Sequence, residues 1–201
     1  MNVSSNQPHK TSNKPHTLIL DGIWGRPRRW ESLRRKIEAA IGPAEIFDYE
    51  CSGRTGFDEL GKVLLKRIDE ISNETGGPIN IVAHSMGGLV ARAAHLLRPE
   101  FQFNRAVLMN SPISGTWAAY LLSLKAVREM RPESEFLKRL KEAESSWKSP
   151  TLVTWCVGDV LVFPNRNMRW PLAEAHRFGM PAHNWPRWSG AIHRKVIEFL
   201  K

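Results

Sequence analysis

Ala83-His84-Ser85-Met86-Gly87 is the stretch of this chain whose residue types and spacing point most directly to chemistry. A small residue two before a serine and a glycine two after it suit a sharp strand-to-helix turn that lifts the serine hydroxyl clear of its sheet. The flanks agree. Ile79, Ile81 and Val82 are β-branched and read as a short buried strand, and apolar residues at 89, 90, 93, 94, 96 and 97 read as a largely buried helix. Such a turn strains the serine backbone and brings the facing chain close, which small side chains at 83 and 87 permit. The following helix directs its first amides at any anion formed there. The pentapeptide alone is equally an ordinary turn with an exposed serine. The strand before it, the Gly87-Gly88 pair and the apolar helix after it favour a nucleophile.

A serine nucleophile needs a base, and the base needs an acid to orient it. Ligands of open α/β sheets bind beyond the carboxyl ends of the strands, so the polar residues that follow each strand are the candidates. Asp21-Gly22-Ile23 follows a strand over 17–20, Gly158-Asp159 ends a strand over 151–157, and His183 follows a weak strand over 175–180. Alone, Asp159 suits a turn and His183 a surface loop. Ser85, Asp159 and His183 in that order on one rim make the joint reading better than any single one. Glu174 and His176 are the rival pair, but His176 falls inside the last strand rather than beyond it.

Positioning these residues takes a layered fold. Trp30, Leu33, Ile37 and Ile41 mark a helix stopped by Gly42-Pro43, and a strand is expected over 46–49. Phe57, Leu60, Leu64, Ile68 and Ile71 mark a second helix ended near Gly76-Gly77. After a strand over 106–109, residues 117–130 are apolar on most sides and are expected to form a packed crossover helix. Helices over 136–143 and 192–200 complete the pattern. Short apolar strands alternating with helices imply an α/β fold of about six mainly parallel strands, with helices on both faces and right-handed crossovers.

The 201 residues, 42% hydrophobic, suit one domain over 17–201 behind a disordered polar tail over 1–16 that has no apolar leader segment. No run is long enough to span a membrane. Two cysteines, Cys51 and Cys156, do not make a disulfide framework, so a cytoplasmic location is expected. The 29 Lys and Arg against 20 Asp and Glu give a net charge of +9, which attracts anionic surfaces weakly. No zinc-ligand spacing, phosphate loop or aromatic RNA-binding motif is present, so neither a metal nor nucleic acid is expected.

With these residues in view, the chain resembles the α/β-hydrolases, most of all the small bacterial lipases and esterases with an Ala-His-Ser-Met-Gly-Gly elbow. The resemblance runs from residue 17 to 201 and is most specific over 81–90. It implies a minimal α/β-hydrolase fold and cofactor-free hydrolysis of a small acyl ester through an acyl-enzyme. It matches Ser85 to the nucleophile, Asp159 to the acid and His183 to the base. Ile23 and Met86 match the two positions whose backbone amides form the oxyanion hole. Trp24, Trp117 and Trp185 lie beside the rim as candidate walls of an acyl pocket. Thioester, amide or acyl-transfer chemistry on the same three residues is the alternative, as is a binding protein that kept the fold without catalysis. One departure stands out: Asp21-Gly22 replaces the usual His-Gly. Asp21 is therefore expected to point away from the site and hold its loop through backbone hydrogen bonds.

Overall fold

The computed structural model describes residues 14–179 and 182–201. Six parallel strands form one sheet: β1 (His16–Leu20), β2 (Ala44–Ile46), β3 (Ile79–His84), β4 (Arg105–Met109), β5 (Thr151–Cys156) and β6 (Glu174–Phe178). Their order is β2-β1-β3-β4-β5-β6. The expected parallel α/β architecture is therefore observed. β1 and β3 pair with Leu18 opposite Ile81, and β3 and β4 pair with Ile81 opposite Ala106.

Strand alternation sorts the core into two layers. Leu18, Leu20, Ile81, Ala83, Ala106, Leu108 and Val153 face one side, against α2 (Phe57–Thr75), α3 (Met86–Leu97) and α5 (Glu135–Glu142). Ile19, Val82, Val107, Met109 and Leu152 face the other, against α1 (Glu31–Ala40) and α6 (Gly190–Leu200). Helix ends follow local chemistry. Asp58 and Glu59 sit in the first turn of α2, where the helix dipole favours negative charge, and Gly76 closes it at φ +62°. The Ser134 and Ser189 hydroxyls cap α5 and α6 by accepting from Leu137 N and Ile192 N. α2 and α3 touch at Gly61, where a Cβ would stand 2.9 Å from the Ala93 carbonyl carbon.

Three expectations are corrected. The second strand ends at Ile46 rather than Tyr49: Phe47 N makes one more bond to Ile19 O, then the chain leaves the sheet and Tyr49 donates its hydroxyl hydrogen to Asp21 O. His16 already belongs to β1, while residues 1–13 of the expected tail, and Met180 of the expected last strand, lie outside the described residues.

The third correction is larger. Residues 117–130 are not one packed helix. A 3-10 turn (Trp117–Leu121) and a short helix, α4 (Lys125–Glu129), are separated by extended residues. Leu121 is 83% exposed. The amphipathic α5 packs on α3 and α4, burying Phe136, Leu137 and Leu140, while Trp117, Tyr120 and Leu121 of the apolar run lie at the surface and Ala126, Val127 and Met130 are buried.

Candidate active site

The turn after β3 has the geometry its residues suggest. Ser85 has φ +53° and ψ −123°, a region that side chains rarely occupy, and α3 starts at the very next residue. The facing chain is as close as the small residues require. A Cβ on Gly87 would meet Asp21 O at 2.7 Å, and one on Gly22 would meet the Ser85 Cβ at 2.7 Å. The loop after β1 therefore passes directly over the serine.

The three residues singled out by chain order meet here. The Ser85 hydroxyl donates to His183 Nε2 across 2.8 Å, and His183 Nδ1–H donates to Asp159 Oδ2 across 2.6 Å. Since a carboxylate only accepts, Asp159 sets the tautomer of His183 and leaves Nε2 free to take a proton. Asp159 is 1% exposed, and its other oxygen accepts from Leu161 N and Val162 N at 2.8 and 3.0 Å. Gly158, at φ +76°, turns the chain out of β5 just before it. The rival pair is elsewhere: Glu174 pairs with Lys195 on α6, and His176 packs on Phe178 within the edge strand.

The amide of Ile23 has no hydrogen-bond partner among the described residues, nor has that of Met86 at the start of α3. Both flank Ser85. Beyond it opens a cavity of about 290 Å³, walled largely by apolar groups from Ile23, Trp24, Ala119, Leu122, Val127 and Met130, with Ser85 and His183 in its lining.

Of the three candidate pocket tryptophans, only Trp24 lines this cavity. Trp117 points out of it and meets the Phe163 ring edge-on at 5.6 Å, leaving the wall to Ala118 and Ala119. Trp185 packs on the α1 and α6 side of the sheet, while Asn184 and Arg187 of the same loop reach the cavity. Within a short 3-10 turn neighbouring side chains point in different directions, which residue type alone does not resolve.

Asp21 holds its loop as expected, accepting from Gly22 N at 2.7 Å and Arg26 N at 3.1 Å. It also does more. Oδ1 accepts from Arg187 Nη2 at 2.9 Å and lies 3.2 Å from His84 Nδ1. Burial pushes the Asp21 carboxyl up, but His84 and Arg187 outweigh that and hold it well below the usual carboxylate range. For His84, burial dominates and pushes the imidazole pKa down. Sequence reading missed Arg187 and His84 as members of the site. The exchange of His for Asp at 21 was a signal that a buried cation must lie nearby.

Among the described residues, no group of His, Cys, Asp or Glu is arranged to hold a metal ion, and no helix is long and apolar enough to cross a membrane.

Known proteins resemble the chain in fold. A lipase from Bacillus licheniformis, BlEst2 in its mature form, superposes with a TM-score of 0.74 at 17% identity, over 100% of this chain and 96% of that one. A monoacylglycerol lipase from Paleococcus ferrophilus gives 0.68 at 17% identity, over 94% and 95%. Lipase B of Aspergillus fumigatus gives 0.80 at 13% identity, over 99% of this chain and 55% of that one. At such identities the likeness is one of fold. No curated protein matches the sequence. The model of the alpha/beta hydrolase family, by contrast, matches residues 18–197, and with that span nearly the whole described chain belongs to the alpha/beta hydrolase family.

Proposed function

We propose that this protein is a serine hydrolase that cleaves carboxylic esters through an acyl-enzyme. The observation that carries the reading is the unbroken hydrogen-bond chain from Asp159 through His183 to Ser85 at the wall of an apolar cavity. Ser85 Oγ attacks the ester carbonyl as His183 Nε2 takes its proton, and the resulting imidazolium is stabilised by Asp159. The carbonyl oxygen becomes an oxyanion facing the Ile23 and Met86 amides; losing one such donor typically costs on the order of 10²–10³ in rate. Collapse of this intermediate expels the alcohol, which takes the proton from His183. Water then repeats the sequence on the acyl-enzyme, releasing the acid and restoring Ser85. Trp24, Leu122, Val127 and Met130 give an acyl chain an apolar wall, and the lipase neighbours are consistent with such a substrate.

The test is a panel of p-nitrophenyl esters of graded acyl length, with an acyl-CoA thioester alongside, on wild type and Ser85→Ala. Turnover of the esters, mass-spectrometric labelling of Ser85 by a phosphonate, and loss of both in a folded Ser85→Ala support the assignment. Labelling at another serine with wild-type turnover in Ser85→Ala refutes it. Faster turnover of the thioester moves the substrate class.

A further inference from the structure

His84 immediately precedes Ser85, and although it borders the cavity it is only 1% exposed. Its Nε2 lies 2.9 Å from the main-chain oxygen of His183. The same oxygen accepts from Asn110 Nδ2 at 2.8 Å, and Asn110 Oδ1 in turn accepts from Cys156 N at 2.9 Å. One carbonyl therefore receives two side-chain donors, one from the end of β3 and one from the residue after β4.

This double attachment answers a mechanical problem. His183 follows β6, an exposed edge strand three places from β3 in the sheet. The ladder fixes neither the loop beyond β6 nor its distance from Ser85. Bonds from the imidazole to Ser85 and Asp159 orient the ring, but a ring on an unanchored main chain drifts with its loop. We propose that His84 is a positioning residue. With Asn110 it ties the main chain of His183 to the strand that carries Ser85, and so sets the separation between base and nucleophile.

The groups around the ring fit this role. Asp21 Oδ1 lies 3.2 Å from Nδ1, Arg187 approaches through Asp21, and the Trp30 and His183 rings stand 5.4 and 4.9 Å away. Both ring nitrogens face oxygen acceptors, so a hydrogen on each would satisfy both. Burial, His183 and Arg187 oppose the second proton, and Asp21 favours it. Asp21 is already supplied by Gly22, Arg26 and Arg187.

The inference rests on reading His183 as the base, and the experiment separates the two. His84→Phe keeps a ring against Trp30 and removes both bonds. His84→Gln places an amide donor close to where Nε2 stood. For p-nitrophenyl ester hydrolysis, His84→Phe lowers kcat by about 10–100-fold, the scale of an ångström-sized misplacement, with KM nearly unchanged. His84→Gln recovers much of that loss. In a His183→Ala background, His84→Phe changes the residual rate no further. Proton NMR gives a readout without turnover. The His183 Nδ1–H resonance, sharp in wild type and His84→Gln, broadens in His84→Phe. An unchanged resonance in folded His84→Phe overturns the positioning role, as does an equal kcat loss in the His183→Ala background. A resonance that responds as described in a protein whose Ser85 takes no phosphonate keeps the positioning role and rejects the esterase reading instead.

Discussion

Arg187 Nη2 donates to Asp21 Oδ1 across 2.9 Å, joining the loop after β1 to the loop after His183 in a pair only 3% and 7% exposed at the side chains. Both loops line the candidate cavity, so one buried ion pair links two parts of its wall. Arg187 Nε has no partner, which leaves Asp21 as the only carboxylate paired with this guanidinium among the described residues. Asp21→Asn is therefore expected to destabilise the protein by about 3–5 kcal/mol at neutral pH, because it strands a buried cation. Asp21→Asn combined with Arg187→Met should cost less than the sum of the two single changes. Denaturant unfolding of the three variants measures the coupling.

The same pair gives a pH dependence of defined sign. The folded-state pKa of Asp21 lies below its unfolded value, so its contribution is complete above the unfolded pKa of about 3.9 and is lost as pH falls towards the folded one. The gap in Tm between wild type and Asp21→Asn should be widest above pH 5 and shrink steadily below pH 4. A gap that is constant from pH 6 to pH 2.5 would mean that Asp21 does not carry its charge into the fold.

Turnover distinguishes the two acid–base pairs. Asp159→Asn and His183→Ala should each lower kcat by about 10⁴ while leaving KM near its original value. Glu174→Gln and His176→Ala, at the edge strand, should leave turnover near wild type. If the second pair of substitutions proves as damaging as the first, both roles must be reassigned.

Close approach at the elbow predicts a contrast between two glycines. A Cβ at Gly87 meets the Asp21 carbonyl oxygen at 2.7 Å and the Leu20 oxygen at 3.0 Å, neither of which can move without its strand or loop. Gly87→Ala is expected to cost about 1–3 kcal/mol and to displace the Ile23 amide, lowering kcat as well. Gly190 opens α6 with nothing nearer than 3.8 Å. Gly190→Ala should raise stability by a few tenths of a kcal/mol or more through helix propensity, with no change in turnover.

The exposed turn of residues 117–121 resembles a lid in composition but not in attachment. Thr116 Oγ1 donates to Leu161 O at 2.9 Å, Trp117 N to Phe163 O at 2.8 Å, and Arg131 reaches Ala119 O and Leu122 O at 3.1 and 3.2 Å. The Arg131 guanidinium also stacks over Tyr120. Dissolved short-chain esters should therefore be hydrolysed readily, without a jump in rate as substrate passes its solubility limit. Arg131→Ala, by releasing the turn, should create such a jump or raise KM. An interfacial jump in the wild type would show the turn to be mobile.

Much of this was legible before folding because it is local. β-branched runs ahead of Asp21, Ser85 and Asp159, helical periodicity between them and the small residues around Ser85 determine strands, helices and a strained elbow with little reference to the rest of the chain. Parallel strands then bring their carboxyl ends to one rim, so Ser85, Asp159 and His183 could be named as candidates from their order along that rim together with the family resemblance. Other features depended on partners distant in sequence. Apolar composition over residues 117–130 is compatible with one buried helix or with a surface turn followed by a short buried helix, and only the folded chain, with α4 and α5 packed on each other, decides for the second. Trp117 and Trp185 face away from the cavity because short 3-10 turns set their directions. Asp21 reads in sequence as a loop-holding residue, but its partner Arg187 lies 166 positions away and His84 lies 63 away. Burial makes those contacts matter: an unpaired charge beneath the site is costly, and only the folded chain determines which residues compensate it.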